Sequence, residues 1–193
     1  TRRQFRDQFD DKDFTFDLLG KTPTVGGGGI KQGLDVRDLP SLHGEGVALT
    51  LFTLDPCGIN LPHVHPRATE ILYVISGAGR TEEDWQSYLQ VAFVEENGGR
   101  TIVNTIGTGE ATFFPEGLIH YQQNLGCEQV QYISGLNHED PGVLTVSTRT
   151  FTFPDKALAA TFNIEVDEVK ALRDGLPTSP AAGQAACLEY CGM

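Results

Sequence analysis

Two histidines stand two positions apart, at His63 and His65, and a glutamate follows at Glu70. Successive side chains of a β-strand point to opposite faces, so the two imidazoles of a His-x-His pair share a face and can bind one ion. Pro66 bends or ends that strand, which lets Glu70 enter near the start of the next strand and supply a carboxylate oxygen. The spacing therefore predicts two nitrogen ligands and one oxygen ligand for a metal ion.

A fourth ligand is predicted in a second segment, where His120 follows a turn that contains Pro115 and Gly117. An isolated His-x-His pair is more typical of a surface or of a hydrogen-bonded core, and a nearby glutamate adds little. The second segment, with its own spacing of glycine, proline, histidine and asparagine, favours a metal site. We therefore predict that His120 joins the first three ligands around one divalent metal ion.

Short segments rich in β-branched and aromatic residues must position these ligands. Seven such segments alternate with turn residues, at 47–54, 70–75, 90–94, 101–105, 111–114, 129–134 and 143–152. Short strands joined by glycine turns, without intervening helices, favour an all-β fold of the antiparallel sandwich or barrel type.

The rest of the chain divides by composition around a barrel at residues 46–153. Residues 1–45 are polar, contain a run of four glycines and show little periodicity, so they predict an irregular N-terminal arm. Residues 154–176 carry apolar side chains at helical spacing and predict two short helices, the second ending near Gly175. Residues 177–193 predict a small, flexible tail that carries a cysteine pair.

Length and charge exclude several function classes. A chain of 193 residues can form one good-sized core. The formal net charge of −12 disfavours nucleic acid and anionic membranes as partners, because both would repel the protein. The chain contains no apolar run approaching the roughly 20 residues of a membrane helix. Small molecules or metal ions are the expected partners.

The chain has four cysteines, Cys57, Cys127, Cys187 and Cys191, which can form two disulfides in three connectivities. None lies in a Cys-x-x-Cys zinc pattern, and buried thiols are an equally good interpretation for some of them. A disulfide in the tail would imply secretion.

The two histidine segments resemble the paired motifs of the cupin superfamily, in which a His-x-His pair, a following glutamate and a distant histidine bind metal. The matching positions are His63, His65, Glu70 and Gly77 in the first motif and Gly109, Pro115, Gly117, His120 and Asn124 in the second. Cys57 stands where the family has a glycine, and Gly58 follows it directly. The resemblance implies a single cupin (jelly-roll) β-barrel with C-terminal helices.

The sequence His-Pro-Arg-Ala-Thr-Glu at 65–70 is similar to the germins and to the spherulins of fungi and slime moulds. This resemblance covers residues 45–175, whereas the N-terminal cysteine pair of the germins is absent. It implies manganese as the ion and a small-anion substrate. It also implies two activities, the oxidation of oxalate to carbon dioxide and peroxide, and the dismutation of superoxide.

Germins hold oxalate with two asparagines, and the resemblance assigns substrate binding to two positions of this chain. Asn60, three residues before His63, matches one asparagine, although it is equally typical of a turn. Thr50 stands at the second position, where a hydroxyl in place of an amide weakens the oxalate prediction. The acidic residues 82–84 are interpreted as a solvated loop rather than as general acids.

Two other functions stay open. The protein is alternatively an extracellular stress or encystment protein of spherulin type, in which the metal serves stability or ligand binding without turnover. The other alternative is a dioxygenase that acts on a larger organic substrate. A wide, apolar barrel mouth would favour the dioxygenase, whereas a narrow, polar mouth would favour the oxidoreductase of germin type. Germins form hexamers through their C-terminal helices, so residues 154–175 also indicate a possible homo-oligomer.

Overall fold

The computed structural model describes residues 1–79 and 88–193, and no helix in these ranges is long and apolar enough to cross a membrane. The strands are β1 (Thr24–Gly26), β2 (Gly29–Leu34), β3 (Ala48–Leu54), β4 (Ile59–Val64), β5 (Glu70–Ser76), β6 (Leu89–Val94), β7 (Thr101–Ile106), β8 (Ala111–Phe114), β9 (Ile119–Asn124), β10 (Val130–Leu136) and β11 (Leu144–Thr145). The helices are α1 (Arg2–Arg6), α2 (Val146–Thr150), α3 (Asp155–Phe162), α4 (Val166–Asp174) and α5 (Ala185–Tyr190), with 3-10 turns at Asp11–Phe14 and Pro40–Leu42.

Two antiparallel sheets form a jelly-roll barrel, as the sequence predicts. The first sheet has the strand order β1-β2-β3-β10-β5-β8, and the second has the order β11-β4-β9-β6-β7. Each sheet turns one face inward, which accounts for the strict alternation of buried and partly exposed residues along β10. The predicted all-β fold class is confirmed.

The barrel interior has an apolar part and a polar part. On β10, Val130 and Tyr132 are buried in an apolar cluster with Leu54 and Leu72, whereas Ser134 is buried among polar groups. The apolar cluster provides the main hydrophobic stabilisation of the barrel. The polar part of the interior, beginning at Ser134, lies in the region where the histidines converge.

Apolar periodicity predicts neither β4 nor β9, although both carry predicted ligands. The reason is that their inward positions are polar. The buried polar residues of these strands are Asn60, His63, His120, Gln122 and Asn124. A strand that turns polar side chains inward does not show the apolar alternation from which strands are recognised.

The prediction of an irregular arm for residues 1–45 is wrong between residues 24 and 34. Strand β2 pairs with β3 along its whole length, and β1 pairs with β2. The glycines before β2 serve close packing, since a Cβ added to Gly26 would lie 1.9 Å from the Pro180 carbonyl oxygen. The glycine run therefore marks a contact with the C-terminal tail.

The predicted strand at 143–152 is wrong beyond Thr145, where the chain enters helix α2. Strand β11 pairs with β4 through Leu144 with Val64 and Thr145 with His63. In that register the next partner would be Pro62, which has no N–H to donate to the ladder. The pairing therefore stops after two residues in spite of the β-branched sequence that follows.

The C-terminal helices are confirmed, with Leu158 and Val169 buried and α4 capped by Gly175. The tail after them is ordered against the barrel rather than free. Ala181 is buried and exchanges two backbone hydrogen bonds with Ile59.

Two disulfides select one of the three possible connectivities. They join Cys57 to Cys187 and Cys127 to Cys191, so each tail cysteine bonds to a barrel cysteine.

Candidate metal centre

The four predicted ligands converge inside the barrel. One ligand atom from each of His63, His65, Glu70 and His120 can be chosen so that all four atoms lie within 4.8 Å of one another. Three of these residues are at least 96% buried, and the side chain of His65 is 13% exposed. The structure therefore brings together the complete set of side chains that the two motifs predict.

Strand pairing explains the convergence of the three histidines. His63 on β4 lies directly opposite His120 on β9, so their rings share the inner face, with centroids 4.2 Å apart. His65 follows the end of β4, two residues after His63, and its ring centroid lies 5.1 Å from that of His63. Glu70 is the first residue of β5 and approaches from the opposite sheet.

The three histidines have the same hydrogen-bonding arrangement at Nδ1. This atom lies 2.8 Å from the Leu61 carbonyl oxygen in His63, 2.6 Å from that of Gly142 in His65 and 2.9 Å from that of Leu118 in His120. A carbonyl oxygen only accepts, so each Nδ1 carries the proton and donates it. The unshared pair of a neutral imidazole is therefore on Nε2 in each ring, the atom available to a metal.

Those Nε2 atoms face the carboxylate. Nε2 of His65 lies 2.9 Å from Oε2 of Glu70, and Nε2 of His120 lies 3.3 Å from the same oxygen. Because Nδ1 already holds the ring proton, Nε2 presents an unshared pair to the carboxylate oxygen. The unshared pairs of Nε2 and Oε2 would repel each other at these distances unless a proton or a cation lies between the two atoms. Three imidazole nitrogens and one carboxylate oxygen suit a first-row divalent ion, so the donor set fits a metal.

Burial and charge set the protonation of the cluster. Burial lowers the pKa of His63 to about 3, and repulsion from His120 acts in the same direction. Burial acts to raise the pKa of Glu70, but the contacts of its carboxylate with His120 and His65 and the nearby His63 outweigh burial and hold that pKa well below its ordinary value. At neutral pH His63 is therefore neutral and Glu70 ionised, the states required for ligation.

Further contacts hold the ligands in place. Ser134 on β10 donates a 2.6 Å hydrogen bond to Oε1 of Glu70, leaving Oε2 toward the imidazoles. The ring of Phe114 stacks on His120 with a centroid distance of 4.5 Å. Neither contact could be found from the sequence, because each depends on the pairing of distant strands.

A cavity of about 460 Å³ borders the cluster. Its wall includes His63, His65, Glu70 and both predicted substrate-binding residues, Asn60 and Thr50. The wall also carries many charged side chains, among them Lys21, Lys31, Arg37, Arg67, Asp35 and Asp140. The cavity is thus larger than the narrow site expected for a two-carbon anion, and it is too polar for the wide, apolar mouth expected of a dioxygenase.

Asn60 lies within strand β4 and is 5% exposed, so the interpretation of this residue as a turn asparagine is wrong. Its Nδ2 donates to Oε1 of Gln122 at 2.7 Å, and its Oδ1 accepts from the Ser179 hydroxyl at 2.9 Å. Thr50 on β3 lies opposite Gly33 and Ser134. The acidic residues 82–84 lie outside the described part of the chain.

Ser179 is a site residue that the sequence did not indicate. It lies in the tail, accepts a hydrogen bond from the Leu61 N–H at 3.1 Å and holds the Asn60 amide. A serine in a small-residue stretch carries no recognisable signal, since its role depends on where the disulfides place the tail.

Comparisons with known proteins agree with this geometry. The sequence profile of the family described as Cupin matches residues 16–170. Spherulin-1A of Physarum polycephalum is 36% identical over 186 residues, which are 95% of this chain and 72% of the spherulin. Germin-like protein subfamily 2 member 4 of Arabidopsis thaliana is 33% identical over 168 residues, which are 83% of this chain and 71% of that protein.

Among solved structures, an oxalate oxidase superposes with a TM-score of 0.76 and 26% sequence identity. The superposition covers 87% of this chain and 83% of the oxidase. The similarity therefore extends well beyond the two histidine motifs.

Proposed function

The chain belongs to the cupin family, with spherulins and germin-like proteins among its relatives, and on this premise we propose that it is a manganese-dependent oxidoreductase acting on a small organic anion. Oxalate oxidation and superoxide dismutation are the two activities to be assayed. The similarity to an oxalate oxidase structure supports this choice.

One observation carries the metal part of the proposal. All three imidazoles donate Nδ1–H to a backbone carbonyl, the Nε2 atoms of His65 and His120 face the carboxylate of Glu70, and one ligand atom from each of the four residues lies within 4.8 Å of the others. His63, His65, Glu70 and His120 would hold the ion, and a bound manganese ion would supply open coordination positions and a one-electron redox couple.

Charge explains how an anion could reach this site in an acidic protein. Three neutral imidazoles and one carboxylate around a divalent ion leave a local charge of about +1, whereas the whole chain carries −12. The cluster lies at the wall of a partly enclosed cavity, where local charge is screened less than at the surface. A small anion is therefore attracted locally despite the global charge.

Asn60 and Thr50 are the proposed substrate-orienting residues. Both border the same cavity as His63. The Asn60 amide is oriented by Ser179 and Gln122, which fixes its donor group relative to the cluster. The Thr50 hydroxyl would provide a second, weaker polar contact.

Secretion is part of the proposal. Two disulfides close the tail onto the barrel, and disulfides persist in oxidising compartments.

The test combines elemental analysis of natively purified protein with assays of peroxide release from oxalate and of superoxide removal. His120→Ala should reduce manganese affinity by more than about 100-fold, because even the outer partners of a metal ligand are worth 10- to 100-fold. The exposed His43→Ala is the matched control and should keep full metal content. Stoichiometric manganese in His120→Ala would contradict the ligand assignment.

The spherulin similarity, at 36% identity, favours a second candidate function, an extracellular protein that uses the metal for stability alone. Bound metal with no activity in either assay, and no change in its spectrum on addition of oxidant or reductant, would favour this candidate. Metal-dependent peroxide release or superoxide removal would exclude it.

A further inference from the structure

Lys31 occupies an inward position of the barrel. It lies on β2 directly opposite Phe52 on β3, and directly opposed residues project from the same face of a sheet. Phe52 is 7% exposed and stacks on the buried Tyr132 ring, with centroids 4.8 Å apart. The side chain of Lys31 therefore points toward the interior, where it borders the same cavity as the histidine cluster.

The other cations that border this cavity are neutralised by carboxylates. Nζ of Lys21 lies 2.6 Å from Asp38, and the Arg67 guanidinium lies 2.9 Å from Asp140. Arg37 pairs with Asp35.

Lys31 differs, because no ion pair joins it to any carboxylate within residues 1–79 and 88–193. Burial also lowers its pKa. A partly buried cation without a counter-charge is destabilising, so its position indicates a ligand that neutralises it.

The size and charge of the cavity indicate which ligand this is. Its volume of about 460 Å³ lies within the roughly 300 to 1,000 Å³ range of pockets for organic ligands, well above the needs of a two-carbon acid. Lys31 contributes one positive charge and the metal-loaded cluster contributes another. A dianion with separated charges would neutralise both.

We propose that Lys31 binds the second carboxylate of a dicarboxylate longer than oxalate, whose first carboxylate faces the cluster of His63, His65, Glu70 and His120. Thr50 borders the same cavity, and its hydroxyl would supply a neutral donor. This inference rests on the proposed function, because only a metal-loaded cluster would attract the first carboxylate.

The affinity test uses the manganese-loaded protein and isothermal titration with malonate, succinate and glutarate, with butyrate as the monocarboxylate matched to succinate. Lys31→Met should weaken the tightest dicarboxylate by about 10-fold or more, since hydrogen bonds to charged groups are worth that much, and should leave butyrate unchanged. The exposed Lys156→Met on α3 is the matched control and should bind all four acids as the wild type does.

A stability measurement separates ligand binding from a structural role. Metal-free Lys31→Met should melt at a higher temperature than the wild type, because the substitution removes a partly buried, unpaired charge while keeping an apolar stem of similar length. A lower melting temperature would mark Lys31 as structural and overturn the inference.

Failure of the inference and failure of the proposed function can be told apart. A protein that binds manganese but shows the same dicarboxylate affinity in the wild type and Lys31→Met overturns the role of Lys31 alone. A wild-type protein that takes up no manganese overturns the proposed function, and the inference with it.

Discussion

The histidine cluster and the C-terminal tail border the same cavity, but their positions are fixed in different ways. Three of the four ligands of the cluster lie within residues 63–70, His120 joins them because β9 pairs with β4, and a backbone carbonyl holds each histidine ring. The tail reaches the cavity from far along the chain, and disulfides with sequence separations of 130 and 64 residues hold it there.

The two regions therefore contribute to different properties, the cluster to metal binding and the tail to the stability of the fold. The cluster holds buried groups that repel each other without a cation, so it adds little to the stability of the metal-free protein. The tail carries no ligand, yet its cross-links restrict the unfolded chain and its Ser179 hydroxyl reaches Asn60. Four experiments test this difference between the two regions.

The largest effect is expected from removing the longer disulfide. Cys57→Ser combined with Cys187→Ser should lower the free energy of unfolding by about 4 to 5 kcal/mol, because a long loop in the unfolded chain is no longer closed. Manganese affinity of the folded protein should not change. Urea denaturation and metal titration measure the two quantities.

The matched control is Cys127→Ser with Cys191→Ser, for which the shorter loop predicts a loss smaller by about 0.6 kcal/mol. Paired substitutions are needed because Sγ of Cys57 lies 3.9 Å from Sγ of Cys191, near enough for a lone thiol to exchange partners. Loss of manganese from the folded double variant would show that the two regions are not independent.

Acid should act on the cluster and leave the disulfides intact. His63 has a pKa of about 3 in the folded protein against an ordinary 6.5, so the unfolded chain binds more protons between these values. The stability of the metal-free protein should therefore be fully present above about pH 6.5 and should decline as the pH falls toward 3. The lowered pKa of Glu70 acts in the same direction below its ordinary value of 4.5.

Thermal melts of the metal-free protein across this pH range provide the measurement. His63→Gln should flatten the decline, whereas the exposed His43→Gln should not. A stability that is constant between pH 6.5 and 4 would contradict the effect of burial on His63.

Ser134→Ala should weaken manganese binding by about 10-fold, because outer partners of a metal-binding carboxylate typically contribute that much. The variant loses the 2.6 Å hydrogen bond to Glu70 Oε1. Ser76→Ala, at the exposed end of β5, is the control for titrations monitored by manganese electron paramagnetic resonance. Equal affinities in both variants would remove Ser134 from the support of the cluster.

The smallest effect is expected at Ser179. Ser179→Ala should reduce oxalate affinity of the manganese-loaded protein by about 5-fold, the value of one ordinary hydrogen bond, with metal affinity unchanged. Ser179→Thr keeps the hydroxyl and should restore affinity, and the exposed Thr178→Ala should have no effect. If Ser179→Ala binds oxalate normally, the tail contributes only stability.

By itself, the sequence was sufficient for the fold class, the two C-terminal helices and the four side chains of the cluster. It sufficed because apolar periodicity, glycine and proline punctuation and the two-residue alternation of a strand are local properties of the chain.

Apolar periodicity did not indicate β2, β4 or β9, because glycines or inward polar residues replace the apolar alternation there. Three features became visible only in the folded chain: the disulfide connectivity, the contact of Ser179 with Asn60 and the inward position of Lys31. Each of these depends on which distant strands pair and in what register, and pairing is set by burial across the whole barrel rather than by neighbouring residues.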